Sequence, residues 1–440
     1  MKPATLLQIA FCLAFFLTTA PAAVAQAYIP DSSFWETKAS MNQARSYFPA
    51  VNFGRKIYAF GGAIADNGVY TNSIEEYNII TDEWVVKAPL PLPMCAMAAV
   101  ELNGAIYIIG GMTDPTGATS TQKVYRYFPQ AGTFDADTIA SLPAARSFLS
   151  ACAAGGKIYA IGGASGFFGA VSNKVYVYDP SDNTWSVGKD LNIGRAAHTC
   201  AVVGSKIYVM GGTIGWFSSI NSVEVFDTQN PEPGWVLSGK PLAHARAGHG
   251  SAVISNIIYA IGGIESTSSA EMSVEGYGPE IDGGDNWKVF KTLTYDRRAF
   301  GCVALPSDDF GLWPPYIYIM GGNSGNAVLS TTQRLGIITV VGVNEVLPTA
   351  PENTNALLSN FPNPFDQNTT ISYTVGKSAH IVIAIFNARG QLISIPVSGL
   401  QTPGEHHVPF DATTLETGVY FCVMNSNDGA GFVRKMVVIR

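Results

Sequence analysis

Five arginines recur at one spacing. Arg45, Arg146, Arg195 and Arg246 each stand sixteen residues before a Gly-Gly pair, and Arg297 joins them once a local insertion is removed. A guanidinium is always charged and carries its donors in a fixed fork, so a repeated one either ties structural elements together or converges with its copies on a carboxylate or a glycan. His198 and His249 each follow such an arginine by three residues, where the other copies have Phe48, Met97, Leu149 and Phe300. Two adjacent imidazoles could hold a metal, but apolar residues in the same slot predict buried packing. Cys200 and Cys302 share a slot with Ala50, Ala99, Ala151 and Ser251, which predicts tight packing of small side chains rather than redox chemistry. Phe167-Phe168 and Trp216-Phe217, set among Gly166, Gly169 and Gly215, could stack on sugar rings or anchor a peptide, or fold back as a plug. No GxSxG, HExxH or phosphate-binding loop is present, and the acidic residues nominate no pair. No catalytic residue, metal or cofactor is therefore expected.

The elements that position these residues follow from a repeat. The hexapeptide Ile-Tyr-x-φ-Gly-Gly, with φ Phe, Ile or Met, occurs six times, its first glycine at Gly61, Gly110, Gly162, Gly211, Gly262 and Gly321. The spacings of 49, 52, 49, 51 and 59 define a unit of about fifty residues. Each unit reads as four short strands: a small-residue strand, the Ile-Tyr strand, a strand ending in an aromatic, and one carrying Trp, as in Tyr178-Asp179-Pro180 followed by Asn183-Thr184-Trp185. Four strands cannot bury both faces alone, so the copies must stack, and stacked radially they close a ring. In the units with a standard turn, Trp stands ten residues before the arginine position (Trp84 to Met94, Trp185 to Arg195, Trp287 to Arg297), and Trp35 does so before Arg45 without a unit of its own. Trp35 is thus expected to complete the last sheet.

Composition agrees. Only 13% of the 440 residues are charged, with 45 Gly and 25 Pro, which favours turn-punctuated strands over solvated helices. Lys+Arg 26 against Asp+Glu 33 gives a net charge of −7, with no basic excess for nucleic acid. Lys2, the apolar run Ile9 to Leu17 and Ala23-Val24-Ala25 form a secretory signal cleaved between Ala25 and Gln26, too short to span a bilayer, and no later segment is long and apolar enough to do so. Beyond it stand Cys95, Cys152, Cys200, Cys302 and Cys422, an odd number without a CxxC pair, which argues against a disulfide scaffold.

The six Gly-Gly units resemble Kelch-repeat β-propellers over roughly residues 30 to 341, with Met94 and Phe134 as local departures from Arg and Trp. The resemblance implies an all-β, six-bladed propeller over residues 26–341 with a closing strand from about 33–40. It offers two roles for the arginines: tying neighbouring blades by hydrogen bonds, or a ring of donors at the channel mouth. The loops after Gly-Gly run to one face, and an insertion around Trp313 to the other. Copper-radical oxidases also resemble Kelch propellers, but their Tyr-Cys and Tyr/His set has no match here.

Residues 342–358 read as a Pro/Asn/Ala-rich linker, and 359–440 as short alternating strands forming a small Ig-like β-sandwich. Its stretches NFPNPF (Asn360 to Phe365), GEH (Gly404 to His406), LETGVYF (Leu415 to Phe421) and the final KMVVIR resemble the type A C-terminal sorting domain of type IX secretion. That implies export, type IX machinery as a partner, and a secreted or outer-membrane-surface location. The expected function is a binding propeller for glycan or protein, with a saccharide mutarotase or epimerase, similar to the Kelch sialic-acid mutarotases, as the alternative.

Overall fold

Short alternating segments broken by Gly, Asn and Asp turns form strands, and every regular element among the described residues is a strand. The computed structural model describes residues 35–65, 68–135, 139–167, 169–215, 218–265, 270–278, 286–306, 315–325, 327–337, 355–387, 392–426 and 431–440. The expected signal with its Ala25 and Gln26 junction, Phe168, Trp216, Phe217 and the insertion around Trp313 lie outside them.

The first sheet runs Ala50–Phe53, Lys56–Phe60, Ile74–Asn78 and Glu83–Lys87, each strand antiparallel to the next. Four further sheets repeat this order from the inner strands Ala98–Leu102, Ser150–Ala154, Thr199–Val203 and Gly250–Ile254. The sixth contains Gly301–Leu305, Tyr316–Met320 and Thr332–Gly336, and takes its outer strand, Glu36–Lys38, from the other end of the chain, with Glu36 opposite Arg334 and Lys38 opposite Thr332. The inner strands touch in order, and Gly301–Leu305 returns to Ala50–Phe53, so the ring is closed. One apolar core fills each of the six seams. At the closing seam Phe48, Ile57 and Tyr77 meet Val303, Tyr318 and Met320.

The recurrent tryptophan ties one blade to the one before it. Trp84 Nε1 donates to Ala39 O at 3.0 Å, Trp185 to Ala140 O at 2.9 Å, Trp235 to Lys189 O at 2.9 Å and Trp287 to Lys240 O at 3.2 Å. Trp35 donates to Thr292 O at 3.1 Å, which puts the N-terminal strand in the same scheme. Each indole except that of Trp35 also packs on the aromatic of its own third strand, as in Tyr77–Trp84 with centroids 5.1 Å apart.

The double glycine is required by how closely neighbouring backbones approach. A Cβ on Gly61, Gly110, Gly162, Gly211, Gly262 or Gly321 would lie 2.4–2.8 Å from the carbonyl oxygen of the arginine position in the next blade. The second glycine of each pair donates its N–H to that same oxygen: Gly62 to Met94, Gly111 to Arg146, Gly163 to Arg195, Gly212 to Arg246, Gly263 to Arg297 and Gly322 to Arg45, at 2.7–2.9 Å. All twelve glycines have positive φ. One pair therefore turns the chain and forms the seam.

The tail is a two-sheet sandwich. Ala356–Phe361, Asn368–Val375 and Gly404–Asp411 form one sheet; Ala379–Asn387, Leu392–Gln401, Gly418–Ser426 and Gly431–Val438 form the other, around Ile381, Ile383, Ile385, Cys422 and Met436. Its first strand starts at Ala356, inside the segment expected as linker, because Asn360 and Leu357 are pinned by pairing and burial.

The seam geometry makes a direct expectation. Gly110→Ala, with its Cβ 2.4 Å from Arg146 O, should cost at least about 2 kcal/mol in urea unfolding, whereas Gly132→Ala, also at positive φ but in open space, should cost only about 1 kcal/mol. Equal losses would mean that the close approach is relieved elsewhere.

Candidate functional site at the channel mouth

Two residues after each arginine position six segments of the chain meet round the axis. Ala96 N donates to Tyr47 O, Phe148 to Ala96, Ala197 to Phe148, Gly248 to Ala197, Ala299 to Gly248, and Tyr47 to Ala299, all at 2.7–2.8 Å. These bonds form a closed hexagon of backbone amides. Every member has φ between 51° and 60°, although only one is glycine. Left-handed backbone costs a non-glycine residue about 1–2 kcal/mol, so the ring persists because both flanking segments and the hexagon hold it. With N–H and C=O engaged, side chains give this level its chemistry: two aromatics, three alanines and a glycine.

The arginines lie outside that ring. Arg45, Arg195, Arg246 and Arg297 are 0–1% exposed, and each guanidinium reaches outward over its own sheet. Arg45 Nη1 donates to Gly61 O and Ser73 O, both at 2.9 Å, and Nη2 to Glu75 at 2.5 Å. Arg195 bonds Gly211 O, Ser222 O and Glu224 in the same way, and Arg246 bonds Gly262 O, Ser273 O and Glu275. Arg297 meets Gly321 O, Thr331 O and Gln333. Burial lowers the pKa of Arg45 and Arg195, and the paired carboxylates act against that shift. Both expectations for these four side chains are thus corrected: they brace their own blade, the neighbouring blade is tied by glycine amides and indoles, and the mouth receives no donor from them.

Arg146 is the half-buried exception, bonded to Ala145 O at 2.8 Å and Ser172 Oγ at 3.2 Å, with Tyr176 where other blades have the glutamate. Where Met94 replaces arginine, Tyr125 replaces the acid. The acid partners were missed in sequence reading, although Glu75, Glu224 and Glu275 all stand two residues before the third-strand aromatic.

The histidines are packing groups. His198 Nε2 meets Ser150 Oγ at 2.8 Å and His249 Nε2 meets Thr199 Oγ1 at 2.9 Å, each across a seam, and each ring covers the first glycine of the preceding blade. Burial, reinforced by Arg195, pushes His198 down to about 3, and burial with Arg246 also lowers His249. Both are neutral. No cluster of His, Cys, Asp or Glu suited to a metal occurs among the described residues.

What does face the mouth is asymmetric. Over the first three blades, Phe167 folds back onto the ring rather than standing clear: its ring meets Phe148 at 5.5 Å and Tyr47 at 6.3 Å, and Tyr47 meets Phe148 at 5.8 Å, all edge-on. Phe167 N donates to Gly117 O at 2.7 Å, which knits the second and third loops together above Tyr70. Over blades four to six the ring shows only Ala197, Gly248 and Ala299. There the sixth blade carries Arg298 where the others have Ser46, Cys95, Ser147, Ala196 and Ala247, its Cβ 3.9 Å from a Cβ built on Gly248. Arg298 Nη2 donates to Gly325 O at 3.2 Å, beside Asp296, whose carboxyl is held below its usual range by Ser324 and Gly325 N–H with help from Arg298. Sequence reading missed Arg298 because it was seen as the neighbour of a repeat residue, not as a departure at its own slot.

The ring of Gly-Gly sheets now has a counterpart among known proteins. Residues 48–263 match the family model described as the KLHDC2/KLHL20/DRC7 Kelch-repeats domain, and residues 359–439 that of the secretion system C-terminal sorting domain. The chain joins Kelch repeats to a sorting tail. It is 30% identical to Kelch-like protein 15 of Danio rerio over 191 residues, 40% of this chain and 31% of that protein. It is 31% identical to Kelch-like protein 25 of Xenopus tropicalis over 156 residues, 34% and 26% of the two chains, and 38% identical to beta-scruin of Limulus polyphemus over 90 residues, 20% and 10%. The chain spans less than a third of the length of these relatives. Kelch repeats suggest a protein-binding propeller, and the tail implies type IX export to the cell surface or extracellular space. No helix among the described residues is long and apolar enough to cross a membrane.

Two measurements test this Kelch site's framework. Glu224→Ala strands the buried Arg195 charge and should cost about 3–5 kcal/mol, whereas Arg195→Met with Glu224→Tyr, which copies Met94 and Tyr125 of blade two, should cost far less in a double-mutant cycle. For the histidines the folded pKa lies below the unfolded value of about 6.5, so stability is full above that pH and is lost as pH falls toward the folded pKa. Between pH 6.5 and 4.5 His198 should remove roughly 2 kcal/mol, with His249 acting in the same direction, and urea midpoints of His198→Leu/His249→Leu should fall less steeply with acid than those of the native chain.

Proposed function

We propose that the chain is an exported binding propeller that takes a protein or glycan ligand at the Gly-Gly face, in the half of the mouth over blades four to six. The observation that carries this reading is the asymmetry of a ring that is otherwise sixfold. An aromatic wall of Tyr47, Phe148 and Phe167 stands on one side, and a half-buried cation, Arg298, on the other, across a floor of Ala197, Gly248 and Ala299. Aromatic faces offer area to a side chain or sugar ring, and a guanidinium offers paired donors to a carboxylate or hydroxyls. The arginines first nominated contribute the framework that holds this floor, with Arg146 the one of them still near solvent.

A saccharide mutarotase or epimerase is the second reading, favoured by one cluster in blade five. His244, half exposed on the same face, has Nδ1 3.1 Å from Glu275 Oε1 and 3.9 Å from Glu271 Oε2, a proton-transfer group with two carboxylates behind it. A single comparison separates the readings. Tyr47→Ala/Phe148→Ala installs the residue that three other blades already tolerate at this backbone position, so the variant should fold. With Arg298→Ala added, pull-down and glycan-array binding should fall at least about tenfold, while anomer exchange followed by NMR stays at the solvent rate for native and variant chains alike. Unchanged binding would remove the mouth assignment, and exchange accelerated by the native chain but not by His244→Ala would replace the binder with the enzyme.

A further inference from the structure

At the hub, neighbouring inner strands come close enough for side chains of consecutive blades to touch in a fixed register. Between blades five and six, a Cβ on Gly250 would lie 2.6 Å from Cys302 Cβ; these residues stand four and five positions after their own repeat arginines. Between blades four and five, Ser251 Oγ donates to Cys200 O at 3.2 Å. The same register between blades three and four sets Cys200, five after Arg195, against Ser150 and Cys152, four and six after Arg146. The contacts agree: Cys152 belongs to the apolar core of this seam, Cys200 packs against that same core, and the two thiols act on each other's titration, with Ser150 acting on Cys200 as well. Further from the axis this seam leaves a cavity of about 270 Å³ against Tyr159, Val175, Val177, Phe226 and Trp235.

We propose that Cys152 and Cys200 are a modification site: in the exported chain they are joined as a disulfide that staples blade three to blade four. Extracytoplasmic compartments favour such bonds, and the sorting tail implies passage through one. The oxidant required is a disulfide-carrying thiol oxidoreductase of that compartment. The Cys200 thiol gives up its proton and attacks the oxidoreductase disulfide, displacing one of its sulfurs as thiolate and leaving a mixed disulfide. The Cys152 thiol then loses its proton and attacks the Cys200 sulfur, forming the Cys152–Cys200 bond and releasing the oxidoreductase as a dithiol. Two electrons pass to the oxidoreductase with two protons. Cys152 lowers the Cys200 pKa and so favours Cys200 as the first attacker. Cys152 is buried and Cys200 is partly buried against the same core once the seam is shut, so the exchange belongs to folding. Cys95 instead hydrogen-bonds Tyr70, and burial pushes it and Cys422 up to about 12. Burial likewise raises Cys302, whose register partner is a glycine. One pair and three solitary thiols account for the odd count.

The test uses the full chain, secreted by its own tail or by a periplasmic leader and purified without reductant. After denaturation, alkylation with iodoacetamide and digestion without reduction, mass spectrometry should find a peptide linked through Cys152 and Cys200, with Cys95, Cys302 and Cys422 alkylated. Recovery of Cys152 and Cys200 alkylated would overturn the proposal. As a second readout, dithiothreitol should lower the melting temperature of the native chain by roughly 5 °C and leave that of Cys152→Ala/Cys200→Ala unmoved; an equal response of both chains would also overturn it. The proposal depends on export and not on any ligand, so loss of mouth binding leaves it standing.

Discussion

The structure depends on one contact made six times: a glycine N–H donated to the carbonyl oxygen of the next blade's arginine position, with the preceding glycine pressed against the same atom. No side chain fits between the two backbones there, so the blades meet at a fixed distance and angle. From that contact the chain can reach the axis only through a left-handed residue, and the six such residues close into a hexagon of amides. The cost of left-handed backbone at Tyr47, Ala96, Phe148, Ala197 and Ala299 is borne because the seam leaves no alternative path.

The buried charges follow the same logic. A blade exposes the ends of its second and third strands beneath the glycine turn, and carbonyls such as Gly61 O and Ser73 O need donors there. A guanidinium fills two of those needs at once, and a glutamate on the third strand answers its charge. Met94 opposite Tyr125 shows that the pair is replaceable as a unit, while Arg297 keeps its buried place with the neutral Gln333 and Arg146, with Tyr176 at the acid's slot, is only half-buried. Repetition of a charged residue is then a sign of framework, and individuality a sign of use. In a ring built from equivalent parts, a ligand can be recognised only by what breaks the equivalence, and Arg298, Tyr47, Phe148 and the folded-back Phe167 are such breaks.

The ring also solves a problem of ends. A linear stack of sheets would leave two faces unburied, and closure removes both. Its last sheet is made by noncovalent pairing of Glu36–Lys38 with Thr332–Arg334, backed by Glu36 against Arg334, Lys38 against Asp82 and Trp84 on Ala39 O. The chain's first and last propeller segments thus hold each other, and the sorting sandwich follows with a core of its own.

Much of this was legible in the sequence because it is periodic. Six Ile-Tyr-x-φ-Gly-Gly hexapeptides gave the number of sheets, Trp35 at its ten-residue offset gave the closing strand, and apolar residues at the slots of His198 and His249 gave their burial. Those readings compare like positions, and like positions share an environment. The direction of a guanidinium, the folding back of Phe167, and the meeting of Cys152 with Cys200 were decided only in three dimensions. Each turns on which of two faces a strand presents to a neighbour some fifty residues away, and that is set by backbone register across a seam, which residue types along the chain do not encode.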